Sequence, residues 1–181
     1  MINTQSTMQL TAILTLENTR SAVHCSSKKR ALEIVSDLAA TQLNIPTSTA
    51  FEAILNRERM GSTGIGAGIA LPHGKIESEE LIQATGVFIT LDSPISYDAA
   101  DNQPVDILFA LFVPTESCQN CLDTLSEMAQ LLADKTLCRQ LRSAQTDEEL
   151  YQLLIQAASE KEQTDPETPN EENQTVENPS V

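Results

Sequence analysis

The longest apolar run in the chain is its clearest structural signal. Val105 to Val113 is almost continuously apolar, which is typical of a strand buried on both faces of a sheet. A shorter apolar stretch, Gly86 to Leu91, predicts a second strand. Asp106 interrupts the longer run, so its carboxylate must find a partner or lie at the strand's edge. A strand with two buried faces implies a sheet with helices on both sides.

Two helices are predicted before residue 60. Ser26 or Ser27 can cap the first helix, and Pro46 ends it. Thr47 is positioned to cap the second helix. Residues 8 to 24 give no firm signal beyond a short helix or strand. The apolar positions expected to face the core are Leu32, Val35, Leu38, Ala39 and Leu43 in the first helix, and Phe51, Ile54 and Leu55 in the second.

Three further helices are predicted after the long strand. Thr115 or Ser117 can open the first of them, a short one is expected over Thr136 to Arg142, and a capping box starting at Thr146 begins the last. Residues 94 to 104 form a turn-rich connection with room for a short strand near Tyr97. The expected core positions are Cys121, Leu122, Leu125, Met128, Ala129 and Leu132 in the first of these helices, and Leu150, Leu153 and Leu154 in the last.

These elements predict an α/β fold, in which a mixed central sheet of about five strands is flanked by helices on both sides. We expect a single domain over residues 8–156. From residue 157 onward prolines and seven acidic residues stand against one lysine. Such a segment cannot bury enough apolar surface to order itself, so residues 157–181 are predicted to be an acidic disordered tail.

Charge and cysteine content narrow the classes of function. The net charge of −15 argues against a nucleic-acid partner or an anionic membrane surface. The longest apolar run is far too short to insert into a membrane, and the N-terminus does not resemble a secretory signal. We therefore expect a cytoplasmic protein whose four cysteines are reduced.

Candidate chemistry is concentrated between Gly61 and Gly74, which hold five of the six glycines and one of the two histidines. The glycines imply a bent path that can aim several backbone N–H groups at one anion, with Gly64, Gly66, Gly68 and Gly74 as the phosphate-binding candidates. Pro72 fixes the approach to His73. A neutral imidazole beside such a cradle suits nucleophilic attack on phosphorus, giving a phosphohistidine. The alternative is that the glycines make tight turns around a structural histidine.

Basic residues near this stretch are candidates for binding a phosphoryl group. Arg57 and Arg59 lie near the end of the second helix, but residues two apart on a helix point in different directions, so only one should reach the site. Lys75 could pair with phosphate or an acidic partner, or could be ordinary surface. His24 is expected to be a surface or half-buried histidine.

Cys118 and Cys121 allow three interpretations. A redox pair at a helix N-terminus would have a lowered thiolate pKa. A zinc site would need two more ligands from among His24, Cys25 and Cys138. The plainest interpretation is that Cys121 is a small buried apolar residue and Cys118 an incidental neighbour.

Three segments resemble a known family over roughly residues 9 to 155. They are Asn56-Arg-Glu-Arg-Met-Gly-Ser-Thr-Gly-Ile-Gly66, Gly68-Ile-Ala-Leu-Pro-His-Gly-Lys75 and Asp101-Asn-Gln-Pro-Val-Asp-Ile-Leu-Phe-Ala-Leu111. Together they are similar to the IIA component of the bacterial phosphotransferase system, fructose/mannitol type, in its nitrogen-related branch.

The resemblance implies that His73 accepts phosphate from a small phosphohistidine carrier protein (HPr-like), itself charged from phosphoenolpyruvate through an enzyme I. It selects Arg57 as the phosphate-stabilising arginine, and no metal or cofactor is required. Ile65, Ile69 and Leu71 are expected to form the docking surface. The nitrogen branch implies regulation of target proteins, in nitrogen metabolism or potassium transport. The alternatives are relay of phosphate to a sugar-specific IIB component and, more remotely, redox sensing through Cys118 and Cys121.

The sequence departs from the family at one place. Where the family usually carries a second histidine in a His-Leu-x-x-Leu pattern, this chain has Cys121-Leu-Asp-Thr-Leu125. Loss of that imidazole is expected to slow phosphoryl transfer, or the cysteine to make the site sensitive to oxidants. A Cys121→His variant that changed neither the phosphorylation rate nor the oxidant response would exclude both.

Overall fold

The computed structural model describes residues 9–77, 83–115 and 119–164. Within these residues the chain forms six α-helices, six β-strands and one short 3-10 turn. The helices are α1 (Gln9–Ile13), α2 (Lys28–Leu43), α3 (Thr47–Glu58), α4 (Gln119–Leu132), α5 (Lys135–Ser143) and α6 (Asp147–Thr164). The strands are β1 (Thr19–Val23), β2 (Gly64–Gly66), β3 (Ile69–Ala70), β4 (His73–Ile76), β5 (Thr85–Ile95) and β6 (Val105–Pro114).

All six strands belong to one mixed sheet organised around β6. Its order is β1-β5-β6-β3-β2, and β4 also pairs with β6. β5 is antiparallel to β6, whereas β3 and β4 run parallel to successive parts of it. The predicted α/β class with a mixed sheet is confirmed, with one strand more than expected.

Two apolar cores cover the two faces of the sheet. One core contains α2 and α3, and the other contains residues of α1, α4, α5 and α6. Successive side chains of a strand point to opposite faces, so β6 contributes to both cores in turn. Val105, Leu108, Ala110 and Phe112 face α2 and α3, whereas Ile107, Phe109, Leu111 and Val113 face the other helices. The buried strand predicted from its apolar run is therefore confirmed.

The ends of the first two long helices follow the predictions in part. Ser27 is the N-cap of α2, and its side chain accepts a hydrogen bond of 3.1 Å from the backbone N–H of Arg30. Pro46, not Thr47, is the N-cap of α3, so the predicted Thr47 cap is wrong. The Thr47 hydroxyl is instead held 3.0 Å from the Asp37 carboxylate of α2, a partner outside its own helix.

Two other predictions fail for tertiary reasons. The strand β5 continues to Ile95 and pairs there with Val105, and residues 96 to 104 contain no strand, so the short strand near Tyr97 is wrong. Tyr97 is instead buried against α3. Leu122, predicted to face the core, is 72% exposed.

The last helix extends beyond residue 157, where the composition predicted that a disordered tail begins. α6 runs to Thr164, because Ala157 and Ala158 still pack against the core and Lys161 donates a hydrogen bond of 3.1 Å to Gln130 of α4. The rest of the predicted tail, 165–181, lies outside the described residues, as does the predicted cap at Ser117. Within the described ranges, every helix is too short or too polar to cross a bilayer.

Candidate phosphorylation site around His73

His73 is the first residue of β4, and the sheet decides which way it points. It is paired in register with Leu111 of β6, and the Leu111 N–H donates a 3.0 Å hydrogen bond to the Pro72 carbonyl. Neighbours in register project to the same face, and Leu111 belongs to the core beneath α4. His73 and Lys75 therefore face the α4 side, while Ile76 packs towards α2 and α3.

One hydrogen bond defines the tautomer of His73. Its Nδ1 lies 2.9 Å from the carbonyl oxygen of Leu71. A carbonyl can only accept, so Nδ1 carries the proton and Nε2 carries the lone pair. Burial has the largest effect and lowers the pKa of His73 below its usual 6.5; the hydrogen bond to Leu71 opposes it, the charge of Arg57 lowers the pKa, and the more minor effects of Glu58 and Lys75 raise and lower it in turn. The imidazole is therefore neutral at pH 7, with Nε2 available as a nucleophile.

Of the two arginines near the end of α3, only Arg57 lies near His73, as the helix geometry predicts. Arg57 lies in the last turn of α3, where its Nη1 donates to the Gly61 carbonyl at 2.9 Å and its charge acts on His73. Arg59 is the exposed C-cap residue of the same helix. Lys75 is exposed and projects from the same face of β4 as His73. The structure thus brings Arg57 and Lys75 near His73.

Gly64 and Gly74 allow other segments to approach the backbone closely. A Cβ on Gly64 would lie 2.7 Å from the Cβ of Ala99, and one on Gly74 would lie 2.6 Å from the backbone carbonyl carbon of Ala53 in α3. These distances are shorter than side chains tolerate, so glycine is required for packing at both positions. Gly74 lets α3, which carries Arg57, lie directly against the strand that begins with His73.

Gly66 and Gly68 belong to a turn clamped from two sides. Both have positive φ, +104° and +81°, and Ala67 between them is also left-handed. The Ala67 N–H donates to Asp101 at 2.9 Å, and the Ala67 carbonyl accepts from Arg142 at 2.9 Å. Arg142 Nε also lies 3.0 Å from both carboxylate oxygens of Asp106, which is the partner that the interrupted strand required.

These contacts explain the four glycines without an anion. The Ala67 N–H is already occupied, and the Asp101 carboxylate lies beside Gly66, where it would repel a phosphate. A phosphate-binding role for the N–H groups of Gly64, Gly66, Gly68 and Gly74 stays a prediction. The role of Arg142 was not predicted from the sequence, where its one signal was that Asp106, inside an apolar strand, needed a partner.

The exposed apolar side chains differ from the expected docking surface. Ile69 and Leu71 are 3% and 6% exposed, because β3 lies inside the sheet and Leu71 belongs to the core, so these two predictions are wrong. Ile65 is 48% exposed. In the described part of the chain, the large hydrophobic side chains that are exposed are Met60, Ile65 and Leu122. Met60 and Ile65 flank the Gly61–Gly64 segment, and Leu122 follows Cys121.

The sheet separates the cysteines proposed as metal ligands. Cys25 is buried in the α2 and α3 core, whereas Cys121 and Cys138 are buried in the core on the other face. The zinc site predicted at Cys118 and Cys121, with two more ligands from among His24, Cys25 and Cys138, is therefore wrong for any set that includes Cys25. His24 is exposed and lies 3.1 Å from Asp92, as expected of a surface histidine. Within the described ranges, no group of three His, Cys, Asp or Glu side chains could hold a metal ion.

Cys121 lies on the same side of the sheet as His73, in the core that contains Leu71 and Leu111. The second histidine of the resembled family would occupy this position. Cys118 lies outside the described residues, so a redox role for the pair stays a prediction.

The fold is thus a mixed sheet between two helical layers, and its candidate site is a neutral histidine that begins a strand beside an arginine. Residues 12–157 match the family described as "Phosphoenolpyruvate-dependent sugar phosphotransferase system, EIIA 2", and the chain belongs to this family.

Within this family, the chain is similar to proteins named nitrogen regulatory proteins. The chain is 61% identical over 154 residues to the nitrogen regulatory protein of Escherichia coli strain K12, covering 85% of this chain and 94% of that protein. It is 59% identical over 162 residues to the nitrogen regulatory protein of Klebsiella oxytoca, covering 90% and 99%. The crystal structure of nitrogen regulatory protein IIA-Ntr from Neisseria meningitidis superposes with a TM-score of 0.74 at 33% identity, covering 80% of this chain and 98% of that one.

Proposed function

We propose that this protein is a regulatory phosphocarrier that accepts a phosphoryl group on Nε2 of His73. The observation that carries the proposal is the 2.9 Å hydrogen bond between His73 Nδ1 and the Leu71 carbonyl, which leaves the Nε2 lone pair free on a neutral ring. The donor is a small phosphohistidine carrier protein (HPr-like), charged from phosphoenolpyruvate through an enzyme I, acting in the cytoplasm.

The transfer is a direct exchange between two imidazoles. The His73 Nε2 lone pair attacks phosphorus in line, the new N–P bond forms, and the N–P bond of the carrier's histidine breaks, its electron pair returning to that ring. The positive charge that develops on the His73 ring is stabilised at Nδ1–H by the Leu71 carbonyl. The Arg57 guanidinium neutralises the charge on the phosphoryl oxygens. It can donate hydrogen bonds to them either while keeping its bond to the Gly61 carbonyl or after releasing it.

The exposed apolar side chains of the described residues suit a docking surface for proteins. Ile65, which was predicted for this surface, provides apolar contact area together with Met60 and Leu122, which take the place of the buried Ile69 and Leu71. Phosphorylation adds about two negative charges, which would change any interface formed there. The two states can therefore bind different targets. The similarity to proteins named nitrogen regulatory proteins favours regulators of nitrogen metabolism, and the family resemblance seen in the sequence implies potassium transport as the other class of target.

The test is the intact mass of the protein after incubation with phosphoenolpyruvate, enzyme I and the carrier protein. We expect one acid-labile phosphate adduct on the wild type and none on His73→Ala, whereas His24→Ala, which removes the exposed histidine, should be modified normally. An adduct that persists on His73→Ala would overturn the assignment. No adduct on the wild type with any donor would mean that the relay is inactive in this chain.

A second experiment separates regulation from relay. Affinity capture with unmodified and phosphorylated protein, with His73→Ala as the control that cannot be phosphorylated, should recover a regulatory partner in one state only. A simple relay to a IIB-type acceptor should instead discharge the phosphate to that acceptor, without a stable partner that depends on the state.

A further inference from the structure

Glu58 is a buried carboxylate that the proposed transfer does not use. Its side chain is only 3% exposed, although it directly follows Arg57 at the end of α3. It accepts hydrogen bonds from the Thr63 N–H at 3.2 Å, from the Thr63 hydroxyl, and from the Tyr97 hydroxyl at 3.0 Å. The Lys28 ammonium lies 3.0 Å from its other oxygen. Four donors from three segments of the chain thus converge on one carboxylate.

Stability alone is a weak reason for this arrangement. Burying a carboxylate and an ammonium costs desolvation that their attraction roughly offsets, so an apolar pair of the same volume would hold the fold equally well. Lys28 also lies 4.5 Å above the ring of Tyr97, which fixes both groups around the carboxylate. The hydrogen bonds and the ion pair do, however, fix the orientation of Thr63, Tyr97 and Lys28, because each donor must point at a carboxylate oxygen of Glu58.

The carboxylate is connected to His73 by consecutive hydrogen bonds. The N–H and the hydroxyl of Thr63 both donate to the Glu58 carboxylate. The Thr63 carbonyl accepts the Leu71 N–H at 3.0 Å, and the Leu71 carbonyl accepts His73 Nδ1–H at 2.9 Å. Leu71, whose carbonyl selects the tautomer of His73, is therefore anchored by its own N–H through Thr63 to a buried charge.

The same residue also connects to Arg57. The Glu58 carbonyl accepts the Gly61 N–H at 3.1 Å, and the Gly61 carbonyl accepts Arg57 Nη1 at 2.9 Å. The loop from Gly61 to Gly64 is further fixed because the Ser62 hydroxyl donates to the Tyr97 carbonyl at 2.9 Å. Both functional side chains thus depend on the conformation of one short loop, and Glu58 is bonded to that loop at two points.

We propose that Glu58 is a positioning residue for phosphoryl transfer: through Thr63 it fixes the Leu71 carbonyl, which holds His73 in the Nδ1–H tautomer with Nε2 directed at the incoming phosphorus. Tyr97 and Lys28 hold the carboxylate in place. This inference rests on the proposed function for its kinetic consequence, but its effect on the tautomer of His73 can be measured without any phosphate donor.

The test compares Thr63→Val, which removes the hydroxyl that donates to Glu58, with Thr63→Ser, which keeps it. Glu58→Gln removes the charge itself. Thr90→Val is the matched control, since Thr90 is also a buried threonine whose hydroxyl accepts a 2.9 Å hydrogen bond, from the Ala22 N–H on the far side of β5. The tautomer of His73 is read from its ring nitrogen shifts by two-dimensional NMR, and transfer from the phosphorylated carrier is measured in single turnovers.

We expect Thr63→Val and Glu58→Gln to increase the Nε2–H tautomer and to lower the maximal transfer rate about tenfold, with unchanged affinity for the carrier. Thr63→Ser should restore most of both properties, and Thr90→Val should alter neither. If Glu58→Gln fails to fold, the two Thr63 variants decide the question alone.

Folded Thr63→Val protein with a wild-type tautomer and rate would overturn the proposal. So would an equal loss in Thr63→Val and Thr90→Val, because a general loss of stability would then explain it. A wild type that accepts no phosphate, together with a tautomer that still shifts in Thr63→Val, would refute the proposed function while leaving the positioning role of Glu58 supported.

Discussion

Replacing Gly74 by alanine tests how the fold holds Arg57 against His73. The added Cβ would lie 2.6–2.8 Å from backbone atoms of Ala53 and Ile54, and backbone cannot rotate away as a side chain can. Restoring an ordinary contact requires α3 and β4 to separate by roughly 0.7 Å, a large shift in an interior packed at crystal density. Arg57 follows one turn later on the same helix, so it should move with the displaced segment.

The cost follows from this geometry. Overpacking usually costs about 1–3 kcal/mol, and contact with backbone belongs at the upper end. Alanine returns about 0.4–1 kcal/mol by restricting the unfolded chain. A net loss of about 2 kcal/mol should lower the melting temperature by about 4–8 °C for a domain of this size. Misplacement of Arg57 should also slow phosphoryl transfer about tenfold or more, since a 1 Å displacement can cost about a hundredfold.

The assays are thermal unfolding by circular dichroism and single-turnover phosphorylation at a temperature where every variant is folded. Leu150→Ala is the control. Leu150 is fully buried in the core on the face of the sheet away from α3, so its truncation should cost about 2–5 kcal/mol without moving α3. We expect Gly74→Ala to lose rate and stability, and Leu150→Ala to lose stability only. If Gly74→Ala melts with the wild type and accepts phosphate at the same rate, the close approach of α3 to β4 is refuted.

Two further predictions concern His73 and the clamped turn. Because the pKa of His73 is lowered on folding, the unfolded chain binds its proton at a higher pH than the folded one, so its contribution to stability is present above pH 6.5 and is lost as the pH falls through the folded pKa. An NMR titration of the His73 ring should therefore give a midpoint below 6.5, and a midpoint above it would contradict the burial argument. Arg142→Met should cost about 1–2 kcal/mol in urea unfolding and speed amide exchange at Ala67, since Asp106 and the Ala67 carbonyl both lose a partner that is only partly exposed. Arg139→Met, exposed on the same helix, should do neither.

Features that depend on neighbouring residues were predicted well from the sequence. The apolar run of β6 predicted a strand buried on both faces, because alternation along one strand is sufficient to show it. The cap of α2 was predicted to be Ser26 or Ser27, because a cap and its backbone partner are only three residues apart, and it is Ser27. The motif around His73 indicated both the family and the candidate nucleophile. Each of these depends on neighbouring residues alone.

Local signals failed where a distant segment decides the outcome. Thr47 was a plausible cap, but its hydroxyl binds Asp37 across a helix pair. Ile69 and Leu71 resembled a docking surface, yet β3 pairs with β6 and buries them. The anion cradle predicted from the glycines stays a prediction, but local patterns did not show that Gly64 and Gly74 also permit close packing against Ala99 and Ala53, which lie more than twenty residues away in sequence.

The sequence by itself thus determined the class of fold and the family, and it singled out His73 as the candidate nucleophile, because periodicity, capping and a contiguous motif are properties of short segments. Only the tertiary structure decided which tautomer His73 adopts, why its pKa is lowered, and which residues hold it. Leu71, Thr63 and Glu58 act on the imidazole through hydrogen bonds that form when β4 is seated against β6 and α3. The order of strands and the packing of helices fix those bonds, and no pattern along the chain encodes them locally.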